Sequence, residues 1–274
     1  WSEGTRLAAT VYTRKDATGK LPTIIMAYGW GGNAQLLRPE GATLAKAGYL
    51  VVMFDFRGWG ASDSRVILAG SAPAERSGNR FMAEVIELRE IMDPLAEAAD
   101  LANVVHWVQA EPMSDINRIG IWGSSFGGGL ASYVAGHDHR IKAIHTQVVP
   151  LDLRQLDAAG YQDGTKRARG ELAYPKPGVV AVVGLRGAPI TEHFLSYSPL
   201  QSIRSAPDCA VQLILAGKEQ LFDIRPIIKD FGELKNTNKN LVVIPDISHY
   251  DIYGRARTDA LQLALAWFDK HLKP

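Results

Sequence analysis

The stretch "IGIWGSSFGGGLASYVAG" (residues 119–136) decides the fold of this chain. It begins with β-forming residues and ends with a helix-like segment, while its middle is rich in glycine and holds two adjacent serines. That middle reads Gly-x-Ser-x-Gly, with Ser125 in the central position. A strand, a sharp turn and a helix around such a pentapeptide hold the serine hydroxyl exposed above a sheet. The pattern predicts Ser125 as a nucleophile; the alternative is an ordinary tight turn between a strand and a helix.

Strand-like and helix-like segments alternate on both sides of this turn. Short apolar runs predict buried strands, and amphipathic runs that stop at glycine predict helices. We expect strands at residues 7–14, 23–29, 49–56, 118–124, 141–149, 211–217 and 240–247, helices at 39–48, 82–109 (with a break before Pro94), 126–136 and 258–272, and a loop at 58–80. Nearly continuous apolar strands separated by helices predict an α/β fold with a mostly parallel central sheet covered on both faces.

One long segment interrupts this alternation. Residues 151–202 are mixed in polarity, contain several prolines and lie between two predicted strands of the same sheet. We therefore expect a single domain over residues 1–274, with residues 151–202 inserted as a cap or lid. A lateral extension of the sheet or a subunit contact is the alternative for this segment.

A serine hydroxyl needs a base and an orienting acid. In this type of fold the acid and then the histidine follow the serine along the chain. His249, just after the predicted strand 240–247, is the expected base. Glu219, shortly after the strand 211–217, is the expected acid, with Asp223 as the alternative. If neither residue is the acid, Asp246 and Asp251 are the next candidates.

The negative charge on a reacting carbonyl oxygen requires two N–H donors. One is expected from the backbone of Phe126, directly after the serine. The other is expected from the glycine-rich loop "AYGWGGN" (residues 27–33), where the backbone N–H of Trp30 is the first choice and that of Gly31 the second. An ordinary glycine-rich turn is the alternative for this loop.

The composition excludes several other classes of protein. The 30 basic and 29 acidic residues give a formal net charge of +1, without a dense basic block, so we expect no nucleic-acid partner. The apolar runs are too short to span a bilayer, so we expect no membrane partner. Cys209 is the only cysteine, which excludes an intrachain disulfide and agrees with a cytoplasmic location. Because the chain starts at Trp1, removal of a targeting segment stays open, as does assembly into a homodimer.

At these residues the sequence resembles the α/β-hydrolase superfamily. "AYGWGG", "DFRGWGASD" (residues 55–63), "INRIGIWGSSFGGG" and "SHYDIY" occur in the order typical of that superfamily. Residues 118–125 match the pattern R-I-G-x-x-G-x-S, which ends at Ser125. In this the sequence resembles the branch of the superfamily that contains dienelactone hydrolases, Xaa-Pro peptidases and cocaine esterases. Two departures stand out: Tyr28 occupies the position of the usual histidine of the oxyanion loop, and the acid loop is one residue shorter than usual if Glu219 is the acid.

The residues and the resemblance together predict a serine hydrolase that cleaves carboxylic esters through an acyl-enzyme, without a cofactor or metal. Acyl transfer by the same triad, peptidase or amidase activity, and a non-catalytic binding protein are the alternatives. The expected partner is a small-molecule ester. The residues expected to contact it are Tyr28, Gly31, Tyr161, Tyr174 and Phe194.

Overall fold

The computed structural model describes residues 1–182 and 184–273. The strands are β1 (Ala9–Tyr12), β2 (Leu21–Ala27), β3 (Leu50–Phe54), β4 (Arg65–Leu68), β5 (Val85–Leu88), β6 (Ile91–Met92), β7 (Ser114–Ser124), β8 (Ile141–Gln147), β9 (Val180–Val182), β10 (Leu185–Arg186), β11 (Ala188–Pro189), β12 (Ala210–Ala216) and β13 (Lys239–Ile244). The helices are α1 (Arg38–Lys46), α2 (Pro94–Ala110), α3 (Phe126–His137), α4 (Asp157–Ala168), α5 (Thr191–Phe194), α6 (Pro199–Arg204), α7 (Ile224–Gly232) and α8 (Arg257–Leu272).

Seven strands form one sheet in the order β1-β3-β2-β7-β8-β12-β13. Every pair in it is parallel except β1 with β3, which is antiparallel at the edge. The apolar runs that predicted buried strands become its centre; every residue of β3 and of β12 is buried. The predicted α/β class with a mostly parallel sheet is confirmed.

Helices cover both faces of this sheet and bury two large apolar clusters. One cluster packs α2 and α3 against the sheet, around Leu101, Ile121 and Leu130. The other packs α1 and α8 against the opposite face, around Leu44, Trp122 and Phe268. Because the strands are parallel, the loops that carry chemistry leave the same edge of the sheet.

The predicted helix over residues 82–109 is wrong before Pro94, and the predicted loop over residues 58–80 is interrupted by the strand β4. Residues 65–88 contain an antiparallel hairpin in which β4 pairs with β5. The β-branched pair at Val85 and Ile86 favours a strand, and α2 begins only at Pro94. Asp93 starts that helix, since its carboxylate accepts hydrogen bonds from the N–H groups of Leu95 and Ala96.

Within the described parts of the chain, no helix combines the length and the apolar character needed to cross a bilayer.

Candidate active site

Ser125 stands alone between β7 and α3 in a strained backbone conformation. Its φ of 52° lies in the left-handed region, which residues with a side chain rarely adopt. The glycines on either side are required by close contacts: a Cβ at Gly123 would lie 2.6 Å from the Gly127 carbonyl oxygen, and one at Gly127 would lie 2.3 Å from the Tyr28 carbonyl oxygen. The turn therefore has the geometry of a nucleophile elbow.

His249 and Glu219 complete a hydrogen-bonded chain with this serine. The Nε2 atom of His249 lies 3.1 Å from Ser125 Oγ, and its Nδ1 atom lies 2.9 Å from Glu219 Oε2. The His249 and Glu219 side chains are 4% and 1% exposed. With the Nδ1 proton donated to Glu219, Nε2 is free to accept the hydroxyl proton of Ser125.

Glu219 is itself held by two backbone groups. Its Oε1 atom accepts hydrogen bonds from the N–H groups of Gln220 and Leu221, which leaves Oε2 for His249. Gln220, in turn, accepts the backbone N–H of His249 through its side-chain oxygen at 3.0 Å. Gln220 cannot be the acid itself, because a neutral amide does not supply the anion of a triad, but its contact helps to hold the His249 backbone.

The other candidate acids lie elsewhere. Asp223 caps the N-terminus of α7 and pairs with Arg225, whose hydrogen bond lowers the pKa of that carboxyl to about 2. Asp246 pairs with Lys218. Asp251 accepts hydrogen bonds from the backbone N–H and the hydroxyl of Ser248. The structure brings only Glu219 among these carboxylates into hydrogen-bond distance of His249.

The loop after β2 lies against the elbow, as its sequence predicts. A Cβ at Gly29 would lie 3.0 Å from Ser125 Cβ, so the loop backbone passes directly beside the serine. Among the hydrogen bonds of the described residues, none uses the backbone N–H of Trp30 or of Phe126 as donor. The N–H groups of Trp30, the residue after Gly29, and of Phe126, the residue after Ser125, therefore remain the candidate donors to an oxyanion.

Trp30 also connects this loop to the segment 151–202. Its indole Nε1 donates a hydrogen bond to the Gly187 carbonyl oxygen at 3.0 Å. Its ring stacks on Phe194 and packs edge-on against Phe126. The loop that flanks the serine is therefore fixed on one side by the inserted segment.

A small apolar pocket opens beside Ser125 and His249. Its volume is about 110 Å³. Apart from these two side chains, its polar lining residue is Gln155. The rest of the wall consists of Trp30, Phe126, Pro150, Leu153, Leu156, Leu185, Leu221 and Phe222.

Several residues predicted to contact substrate lie away from this wall. Tyr161 is 67% exposed on α4, and Tyr174 lies under the guanidinium of Arg167. Gly31 faces the backbone of Arg186, where a Cβ would lie 2.7 Å from the carbonyl oxygen. None of these three residues lines the pocket; the segment 151–202 contributes Leu153, Gln155, Leu156 and Leu185 to the wall instead.

Phe194 and Tyr28 occupy a second layer. Phe194 is buried behind Trp30 and Phe126, so it supports the pocket without forming its surface. Tyr28 packs its ring 6.0 Å from that of Tyr253, away from the lining residues. Leu153, Leu156 and Leu185 line the pocket instead; as isolated leucines in an irregular segment, they carry no periodic signal that sequence analysis could have used.

The described residues hold no group of three or more His, Cys, Asp or Glu side chains arranged to bind a metal ion.

Comparisons with known proteins agree with this architecture. A profile of the X-Pro dipeptidyl-peptidase (S15) family matches residues 3–174. The chain is 26% identical to the uncharacterized 31.7 kDa protein of the traX-finO intergenic region of Escherichia coli, over 92% of each chain. It superimposes on the α/β hydrolase GrgF of a Penicillium species with a TM-score of 0.71 at 18% identity, over 98% of this chain and 99% of that one.

A second solved structure is similar over almost the whole chain. The structure of Est1E from Butyrivibrio proteoclasticus with ferulic acid superimposes with a TM-score of 0.67 at 16% identity, over 97% of both chains. At such identities the structural matches establish the fold alone. The family profile covers well over half of the chain, and its match includes the elbow at Ser125. The chain is therefore a member of the X-Pro dipeptidyl-peptidase (S15) family within the α/β-hydrolase superfamily.

Proposed function

We propose that this protein is a serine hydrolase that cleaves neutral carboxylic esters with small apolar acyl groups. The observation that carries the proposal is the series of hydrogen bonds from Ser125 Oγ through His249 to Glu219. Ser125 and His249 also line an apolar pocket. Such a chain has the geometry needed for nucleophilic attack on an acyl carbon.

The reaction follows from the positions of these groups. Ser125 Oγ attacks the ester carbonyl while His249 Nε2 takes its proton, and Glu219 stabilises the imidazolium that forms. The N–H groups of Phe126 and Trp30 hold the oxyanion. His249 then protonates the leaving alcohol. Water, activated by the same imidazole, attacks the acyl-enzyme, releases the acid and returns the proton to Ser125.

The pocket wall favours a neutral ester over a peptide with a free N-terminus. A buried ammonium group needs a partner of opposite charge, because removing it from water is costly. Among the residues that line the pocket there is no carboxylate, and the Glu219 side chain is occupied by His249 and two N–H groups. An apolar acyl group, by contrast, gains free energy from contact with the leucine and phenylalanine side chains.

A panel of p-nitrophenyl esters of increasing acyl length, with the matching anilides and an Xaa-Pro anilide, tests the proposal. We expect turnover of the short esters, slower turnover of both kinds of anilide, and release of free acid even when an alcohol acceptor is added. Ser125→Ala should lower kcat by at least about 10³-fold and keep the far-UV circular dichroism spectrum.

A fluorophosphonate probe gives an independent check. It should label Ser125 and fail to label the alanine variant. Labelling of another serine would remove Ser125 from its role, and faster cleavage of the Xaa-Pro anilide than of any ester would make the protein a peptidase. Transfer of the acyl group to the added alcohol as the main product would make it an acyltransferase.

A further inference from the structure

We infer that Tyr253 is a positioning residue that ties together the three loops of the catalytic site; this inference rests on the proposed function. The three loops are the elbow at Ser125, the turn that follows His249 and the loop that starts at Tyr28. Tyr253 contacts a residue of each.

The contact with the elbow is a hydrogen bond between two side-chain hydroxyls. Ser124, which directly precedes the nucleophile, is fully buried, and its hydroxyl donates to the Tyr253 hydroxyl oxygen at 2.7 Å. Gln147 Nε2 donates to the same Ser124 oxygen at 3.2 Å. The Gln147 carbonyl oxygen accepts the backbone N–H of Ser125 at 2.8 Å. Tyr253 and Gln147 therefore fix the elbow from two sides.

Backbone strain at this point needs such support. Besides Ser125, the next residue after Gln147, Val148, also has a positive φ, of 46°. A β-branched residue in that region is a clear outlier, and strained residues persist only when the surrounding contacts determine their conformation. The two strained residues lie at the ends of neighbouring strands, and the hydrogen bonds of Ser124, Ser125 and Gln147 join those ends.

The aromatic ring of Tyr253 reaches the other two loops. Tyr253 ends the 3-10 turn that starts just after His249, and its ring centroid lies 6.4 Å from that of the imidazole. On another side the ring lies 6.0 Å from Tyr28, the residue before Gly29 in the oxyanion loop. Tyr28 occupies the position at which the resemblance to the superfamily leads us to expect histidine, and its ring packs against Tyr253.

Loss of the Tyr253 hydroxyl should therefore misalign Ser125 and His249 without altering the pocket wall. A displacement of about 1 Å between reacting groups can cost about 10²-fold in rate. We expect Tyr253→Phe to lower kcat by roughly 10-fold or more and to leave KM within about twofold, because the residue does not line the pocket.

The experiment compares Tyr253→Phe, Ser124→Ala, the double variant and Tyr12→Phe in the full chain. Tyr12→Phe also removes a phenolic hydroxyl group, but on the edge strand β1. Its kcat, KM and labelling rate should match those of the wild type. Three quantities are measured: kcat and KM on a p-nitrophenyl ester, the rate of fluorophosphonate labelling of Ser125, and the thermal midpoint. Both single variants should lose kcat and labelling rate together, and the double variant should be no slower than the slower single variant, since the two hydroxyls form one hydrogen bond.

Unchanged kcat and labelling in Tyr253→Phe, with or without a lower midpoint, would overturn the inference and leave Tyr253 a structural role only. Additive losses in the double variant would also overturn it, because the two hydroxyls would then act independently. If Tyr253→Phe fails to fold, unchanged kcat and labelling in Ser124→Ala, which removes the same hydrogen bond, would overturn the inference. A wild-type protein that neither reacts with the probe nor turns over esters would refute the proposed function itself.

Discussion

Glu219, the acid of the proposed triad, has a side chain that is 1% exposed and lies 2.9 Å from His249 Nδ1. Glu219 and Asp223 lie four positions apart in the same loop, and both could have faced His249. The structure separates them, because Asp223 is used to cap α7 while Glu219 is turned inward and held by two N–H groups.

We expect Glu219→Gln to lower kcat by roughly 10³–10⁴-fold, since a neutral amide neither stabilises the imidazolium nor holds the correct tautomer. Asp223→Asn is the matched control and should keep kcat within about twofold. Steady-state kinetics on one ester decides between them. A larger loss in Asp223→Asn than in Glu219→Gln would transfer the role of the acid to Asp223.

The backbone conformation of Ser125 depends on the residues around it. A serine at positive φ is tolerated only where the backbone is fixed by its neighbours, and the glycines that flank it are required by contacts shorter than 3 Å. The pentapeptide between an apolar strand and a helix predicted the elbow, although some contacts that hold it, such as that of Gly127 with the Tyr28 carbonyl, come from a distant part of the chain.

At the scale of elements, the segment 151–202 behaves in two different ways. Its 3-10 turn (Arg154–Leu156) and its strand β10 contribute side chains to the pocket, whereas α4 places Tyr161 in solvent. The proposed cap function therefore belongs to these two short elements, which lie on either side of α4 in the sequence.

We expect Leu156→Ala and Leu185→Ala to shift the preferred acyl chain toward longer esters, because each removes apolar volume from the wall. One methylene in an apolar pocket changes kcat/KM by roughly 10-fold or more, so the ratio between octanoate and butyrate esters should change by at least about tenfold. Tyr161→Ala, in the same segment, should leave that ratio unchanged. Equal effects in all three variants would contradict this division of the segment.

The hairpin of β4 and β5 is an element that sequence analysis missed. Its strands have only four residues each and expose Val66, Val85 and Ile86. Because the hairpin does not bury one apolar face, its sequence lacks the clean alternation from which a strand is predicted.

At the scale of the whole molecule, a histidine buried in the sheet should make the free energy of unfolding depend on pH. His145 on β8 is fully buried, stacks on Trp122 and hydrogen-bonds Gln212. Burial lowers the pKa of its imidazole to about 4, although the bond to Gln212 acts in the opposite direction. In the unfolded chain the same group has a pKa of about 6.5.

Between these two values the unfolded state binds more protons than the folded state. The free energy of unfolding should therefore fall as the pH decreases from about 6.5 to about 4, and His145 should account for about 3 kcal/mol of that decrease. Urea denaturation at several pH values measures it. His145→Phe should reduce the slope, whereas His139→Gln, at an exposed histidine, should keep it. An unchanged slope in His145→Phe would show that carboxyl groups dominate this pH range.

Most of the correct predictions rested on patterns among residues that are close in sequence. The order of most strands and helices follows from the apolar periodicity of each segment, and the elbow follows from residues 123–127 together with the strand before them and the helix after them. His249 was placed by its position after a strand, because parallel strands bring their following loops to one edge of the sheet.

What only the tertiary structure decided are the contacts between segments that are distant in sequence. The choice of Glu219 over Asp223, the leucines of the pocket wall and the bond from Ser124 to Tyr253 all depend on how separate loops meet. The sequence by itself determined that a serine follows a buried strand and precedes a helix, since these three segments are consecutive and each has its own local pattern. Which side chains surround that serine depends on packing between loops, and packing leaves no periodic signal in the chain.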